Sequence, residues 1–161
     1  MGHDEISQDR LHYFDAQEIV VPDFEVSGYI LDLGGGGEGV IGSLKPDQVV
    51  AIDPNRRELE NAPAGPLLVI MDAWDLQFLD GSFSAATSFF TLMYIPGSDH
   101  EKVFSEVFRV LEAGAPFLIW DVCLPSRLDG EREFAVIPLT VKLPRSSIGT
   151  GYGTRWPDKE Q

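Results

Sequence analysis

An α/β fold is predicted for this 161-residue chain, built on an open, doubly wound and mainly parallel sheet that is short at both ends. Three observations predict it. An apolar run (Ile30, Leu31, Leu33) interrupted by Asp32 stops in four consecutive glycines, and a helical pattern (Val40, Ile41, Leu44) starts just after Glu38 and Gly39. From Tyr29 onward, short apolar runs alternate with short helical patterns, as parallel strands joined by crossover helices require. Four of the runs also carry an acid at or near their ends (Asp32, Asp53, Asp72, Asp121), and ligands in such sheets bind outside the carboxyl ends of the strands.

Composition sets the outer limits. The hydrophobic fraction of 43% and charged fraction of 24% suit one globular domain with a real core. A net charge of −14 repels phosphate backbones, so no nucleic-acid partner is expected. One cysteine, Cys123, excludes an internal disulfide and a multi-cysteine metal site. The beginning, MGHDEISQDR, lacks the basic and apolar segments of a secretory signal, and no apolar run reaches the roughly 18 to 20 residues that span a bilayer. A cytoplasmic protein without a membrane partner is expected.

In chain order, residues 1–28 read as a short preamble in which QEIVVPDFEV makes one edge strand broken by Pro22. Residues 29–124 read as the core. Its first strand feeds the glycine turn; its second, Val49 to Ile52, ends in Asp53 and Pro54. Asn55 with Glu58 three positions later marks a helix start, and Pro63 forces an end near Ala62. Leu67 to Met71 reads as a fully buried strand ending in Asp72, Ala73 and Trp74. After Asp80-Gly81 comes a fourth strand, roughly Ser84 to Ile95. The next helix is predicted from a capping pair, Ser98 and Glu101, and one apolar stripe of Val103, Phe104, Val107, Phe108 and Leu111, stopped by Gly114. PFLIWDV, ending in Asp121 and Val122, is the fifth strand. Residues 125–161 read as a C-terminal hairpin-like part of the same domain, two extended segments joined by Pro144 to Ser147.

The glycine turn fits two nucleotide ligands. Gly34, Gly36 and Gly39 satisfy G-x-G-x-x-G, and Asp53 follows Gly34 by 19 positions, near the spacing of a ribose-binding acid in a dinucleotide fold. The glycines allow tight reversal and close ligand approach, and a helix starting behind them directs N–H groups into the crevice. Against a dinucleotide stands Asp32, whose carboxylate would repel a diphosphate and attract a cation.

LDLGGGGEG, AIDPN, MDAWDLQFLDGSFSAATSFFTLMYI and VFRVLEAGAPFLIWDV, in that order and spacing, resemble motifs I to IV and the following helix and strand of class I S-adenosylmethionine-dependent methyltransferases, nearest the small-molecule, quinone-biosynthesis-like group. The resemblance runs from about Tyr29 to Val122. It implies a Rossmann-like methyltransferase fold, S-adenosylmethionine as cofactor and methyl transfer to a small-molecule acceptor. Asp32, Gly34, Gly35 and Gly36 would face the methionine end; Asp53, with Pro54 beside it, the ribose; Asp72, the Ala73 N–H and the Trp74 ring the adenine. Phe90, Thr91 and Tyr94 would lie near the sulfonium and the acceptor. Tyr94 and Asp121 are the candidates for a base, His100 being read as a surface residue, and His12, Tyr13, Tyr152 and Trp156 as scaffold. The chain departs from the family in its extra glycine and Glu38, in SFS for Ser-Phe-Asp, and in lacking the usual His or Asn after the fourth strand. The family carries helices before the first strand and a helix and two strands after the fifth. With about 28 residues before and about 37 after Leu124, the acceptor site is expected to be open, completed by another copy in a homo-oligomer, or cut from a longer chain. A cofactor-binding protein without transferase activity of its own and an NAD-dependent enzyme are the alternatives.

Overall fold

A computed structural model describes residues 7–124 and 132–156; the first six residues of the acidic N-terminus, 125–131 and 157–161 lie outside it. In chain order the strands and helices are β1 (Leu11–Tyr13), β2 (Gln17–Val20), β3 (Ile30–Leu33), α1 (Val40–Leu44), β4 (Val49–Asp53), α2 (Arg56–Asn61), β5 (Leu67–Ile70), β6 (Ala85–Phe89), α3 (His100–Val110), β7 (Phe117–Trp120), β8 (Phe134–Lys142) and β9 (Ser147–Arg155). They fall into two compact units, residues 22–122 and residues 1–21 together with 123–161. The sequence reading instead joined 1–28, 29–124 and 125–161 in one domain. The difference arises from strand pairing across the whole chain length, which no local pattern encodes: β8 takes its parallel partners, β1 and β2, from the N-terminal preamble.

Unit 22–122 is the expected doubly wound sheet, in the order β5-β4-β3-β6-β7, with every pair parallel. The chain winds outward from β3 through β4 to β5, then returns to the other side of β3 for β6 and β7. Its switch in direction opens the crevice at the carboxyl ends of the strands. Helix α3 buries Val103, Val107 and Val110 against Leu31, Leu33, Val50, Ile52 and Ala86, while right-handed crossovers put α1 and α2 on the opposite face. Asn55 caps α2 as expected, its side chain accepting from the Arg57 N–H at 3.0 Å.

Several elements differ from the sequence reading, each for a physical reason. β5 is the sheet edge, with Leu67 61% exposed, because an apolar run cannot distinguish an edge strand from a central one. The fourth strand stops at Phe89: Phe90 takes φ +52°, and Leu92–Tyr94 close a 3-10 turn. The Ser98–Glu101 capping pair does not form, since Gly97–Asp99 tighten into another 3-10 turn and leave Asp99 in the cap position. His100 secures that start instead, its Nε2–H shared between the Leu92 and Ile95 carbonyls at 3.1 and 3.0 Å, so it is half-buried and structural. The α3 stripe is narrower than expected: Val103 and Val107 are buried as expected, and the phenylalanines beside them are not. Phe104 is 41% and Phe108 84% exposed, and the valines one position earlier, together with Val110, fill the core.

In the other unit, β8 and β9 form the expected hairpin, antiparallel from Phe134 against Arg155 to Lys142 against Ser147. The N-terminal segment runs along the opposite edge of β8 as β1 and β2, interrupted beside Ile137 and Pro138. Proline there has no N–H to give to a ladder. The edge strand expected from QEIVVPDFEV is therefore β2 alone, ending before Pro22. Alternate β8 residues Ala135, Ile137, Leu139 and Val141 are buried, and Trp156 packs with the rings of His12 and Phe14 at 5.5 and 5.7 Å.

Candidate cofactor site at the strand ends

Every site residue named from sequence lies in unit 22–122, at or just beyond the carboxyl ends of its strands. The glycine turn follows β3 and is tied down by its own chain. Gly35 N–H donates to the Ile52 carbonyl at 3.2 Å, and Gly37 N–H to that of Glu58 at 2.8 Å. The expected set of free N–H groups is thus partly spent inside the protein, and α1 has only five residues behind it.

The glycines are needed first by the protein itself. Gly34 has φ +65°, and a Cβ there would stand 2.3 Å from Thr91 Oγ1. At Gly35 it would meet Asp32 Oδ2 at 2.6 Å and Ala51 at 2.7 Å; at Gly36, the Glu58 Cβ at 2.6 Å and Asp53 Oδ2 at 3.1 Å. The turn therefore lies directly on the Asp32 and Asp53 carboxylates, with no side chain in between. Thr91, read from sequence as a neighbour of the acceptor, donates from Oγ1 to the Leu33 carbonyl at 2.9 Å and braces the base of the turn.

Asp32 is 2% exposed and sits in the middle of the sheet. Burial pushes its carboxyl up to about 7, opposed only by the hydrogen bond that Thr87 Oγ1 donates to Oδ1 at 2.7 Å. Asp53, ending β4, accepts the Asn55 N–H at 2.8 Å. Its carboxyl is raised by burial, lowered by that bond, and raised again by the charges of Glu58 and Asp72. Asp72 is raised chiefly by burial and further by Asp75 and Asp99, while the Ala73 N–H holds it down. Among the described residues, no cation contributes at any of the three. Such a donor set, carboxylates crowded together, welcomes hydroxyl, amino and cationic groups and disfavours a diphosphate. Such a set suits the ammonium, hydroxyl and amino groups of S-adenosylmethionine, the cofactor that the sequence resemblance implies. Pro54 shares the turn after β4, Ala73 is 7% exposed and Trp74 41%.

On the other side of the switch, Phe90 is 5% exposed in its positive-φ conformation, held by its N–H on the Trp120 carbonyl at 2.8 Å. Such a backbone costs about 1–3 kcal/mol and is retained where surrounding structure dictates it. Tyr94 is 58% exposed. Asp121 binds backbone with both oxygens, accepting the Val122 N–H at 2.7 Å and the Met93 N–H at 3.2 Å, and burial raises its carboxyl against those bonds.

Three contributors escaped the sequence reading. Thr87 faces Asp32 only because β6 pairs with β3, with Asp32 opposite Thr87. Glu106 and Arg109, on α3, hold the crossover that follows Trp74: Glu106 accepts the Leu76 N–H at 2.9 Å, and Arg109 donates to the carbonyls of Leu76 and Phe78 at 2.7 and 2.8 Å. Their spacing of three on a helix signals an ion pair and nothing more.

A family model described as a methyltransferase domain matches residues 31–119. The sterol 4-C-methyltransferase strm-1 of Caenorhabditis elegans is 28% identical over 115 residues, 67% of this chain and 32% of that protein. A Bacillus halodurans crystal structure, provisionally designated a methyltransferase, superposes with a TM-score of 0.55 at 25% identity, over 63% of this chain and 48% of the other. Phosphoethanolamine N-methyltransferase 1 of Haemonchus contortus, solved with phosphoethanolamine and S-adenosylhomocysteine, shares the fold at a TM-score of 0.56 and 17% identity, over 68% of this chain and 26% of the other. The chain thus spans about a third of the curated relative and about half of the Bacillus structure.

Proposed function

Because this chain belongs to the methyltransferase domain family, we propose that it is an S-adenosylmethionine-dependent methyltransferase acting on a small-molecule acceptor. The observation that carries the reading is the glycine turn resting on Asp32 and Asp53, one strand away from Asp72, with no cation of the described residues among them. The same arrangement argues against the NAD alternative, whose pyrophosphate would enter a field of carboxylates.

When bound, S-adenosylmethionine supplies a methyl group on a positively charged sulfur, open to in-line displacement by an aligned nucleophile. The residues of this chain bind and orient. Asp53 accepts hydrogen bonds from the ribose hydroxyls with the oxygens left beside its Asn55 bond, and Asp72 accepts from the adenine amino group. Asp32 offers a negative charge to the ammonium, and Trp74 a flat apolar face. Phe90 and Tyr94 border the acceptor side. Asp121 keeps acceptor lone pairs beside the two backbone N–H bonds it receives, so Asp121 and Tyr94 stay the candidates for a base where the acceptor needs one, and alignment carries the chemistry where it does not.

A small-molecule acceptor is supported by the relative named for a sterol. A cytoplasmic setting is supported by the exposed free thiol of Cys123. The reading is tested by titrating S-adenosylmethionine and S-adenosylhomocysteine calorimetrically, with NAD as control, then supplying labelled S-adenosylmethionine with a panel of phenolic, amine, thiol and sterol acceptors. Micromolar binding of both cofactor forms, no heat with NAD and labelled product from at least one acceptor are expected. Failure to bind either form removes the reading; binding with no product from any acceptor leaves a cofactor-binding protein.

A further inference from the structure

Thr87 on β6 stands in register with Asp32 on β3, and the two are 0 and 2% exposed. Its hydroxyl donates to Asp32 Oδ1, and the other oxygen, Oδ2, is turned to the glycine turn, 2.6 Å from where a Gly35 Cβ would be. Among the described residues, those that the strand register, the turn and α1 bring beside this carboxylate are uncharged. Its partner on β4 is Ala51, the turn contributes Gly35, and α1, which packs on β4 and β6, reads Val-Ile-Gly-Ser-Leu. Asp53 and Glu58 lie one glycine further on, against Gly36.

Among the described residues no cation stabilises a carboxylate so placed, and one hydroxyl bond is what favours its charged form. Because Oδ1 already accepts from Thr87, a proton taken up by Asp32 resides on Oδ2, the oxygen facing the turn. We propose that Thr87 is a positioning residue: its hydroxyl fixes Asp32 with Oδ2 toward the glycine turn, so that a cationic group arriving at the turn displaces the Oδ2 proton into solvent. The proposal rests on the methyltransferase reading, in which that cationic group is the cofactor's ammonium. The balance is one proton lost from Oδ2 to solvent for one positive charge gained by the site, while the Thr87 hydroxyl keeps its own hydrogen throughout.

S-adenosylhomocysteine, which carries the same ammonium, is titrated calorimetrically into the wild-type protein, Thr87→Val and Thr87→Ser between pH 6 and 8, in two buffers of different ionisation enthalpy. The wild type is expected to bind roughly tenfold more tightly at pH 8 than at pH 6 and to release protons on binding. Thr87→Val, which keeps the shape and deletes the donor, is expected to bind roughly tenfold more weakly at pH 7, with the midpoint of its pH profile displaced upward. Thr87→Ser is expected to restore both. Wild-type binding that is independent of pH and buffer overturns the proposal without any variant. A Thr87→Val protein with the wild-type profile, or one weakened equally at every pH, overturns it too. If the wild type binds no S-adenosylhomocysteine, the methyltransferase reading fails instead. The Thr87 link is then read from melting temperature against pH, whose slope between pH 5 and 8 should change in Thr87→Val and return in Thr87→Ser.

Discussion

At the scale of single residues, the site is governed by carboxylates that burial makes reluctant to ionise. Asp32 shows the consequence for stability. Its carboxyl is raised from 3.8 to about 7, so between those values the folded state holds a proton that the unfolded chain has lost. Stability must fall as pH rises through that window and level off above it. Asp53, Asp72 and Asp121 are shifted in the same direction and add to the slope. Urea denaturation without ligand should show a protein more stable at pH 5 than at pH 8, by a few kcal/mol from Asp32. Asp32→Asn should flatten the slope; an unchanged slope would mean that the carboxylate is not buried as described. Asp53→Ala should weaken S-adenosylhomocysteine binding by roughly 1–3 kcal/mol, the scale of hydrogen bonds to a charged group, while leaving the protein folded. Normal binding by that variant would remove Asp53 from the ribose.

At the scale of elements, α3 joins the core to the site. Its valine face anchors the sheet, and its Glu106 and Arg109 hold the crossover beyond Trp74. The sequence locates the helix to within two residues of its observed start and puts Val103 and Val107 on its apolar stripe, where they are buried, but it includes in the same stripe Phe104 and Phe108, which are exposed. A difference of one position turns a helix by about 100°, so two adjacent apolar rows compete for one face, and only contact with β3, β4 and β6 decides between them. Val107→Ala should therefore cost about 1.5–2 kcal/mol, two methyl groups at the usual cost of burial, while Phe108→Ala should change stability by less than about 0.5 kcal/mol. Paired denaturant curves measure both, and a larger loss at Phe108 would reverse the assignment of faces. β5 teaches the same lesson. The apolar run Leu67 to Met71 reads as a fully buried strand, whereas sheet order puts β5 (Leu67–Ile70) at the edge, outside β4.

At the scale of the whole molecule, the candidate site belongs to one of two units. All of its residues fall within 22–122, whose five strands and three helices carry their own core. A chain trimmed to 22–122 should fold and bind S-adenosylhomocysteine within about threefold of the full chain, less than 1 kcal/mol apart. Circular dichroism and calorimetry on the two proteins check it, and loss of binding in a folded fragment would assign part of the site to the other unit. The sequence by itself determined the order of strands and helices around β3, the glycine turn and the acids at the carboxyl ends of β4 and β5. Those are local matters: a run of apolar residues, a stop in glycine and an acid at the end are written within a dozen positions. Only the tertiary structure decided what each acid faces. Thr87 reaches Asp32 across 55 residues, and β8 joins β1 across more than a hundred. Such meetings depend on strand order and register, which arise from burying both faces of a sheet at once and leave no periodic trace in the chain.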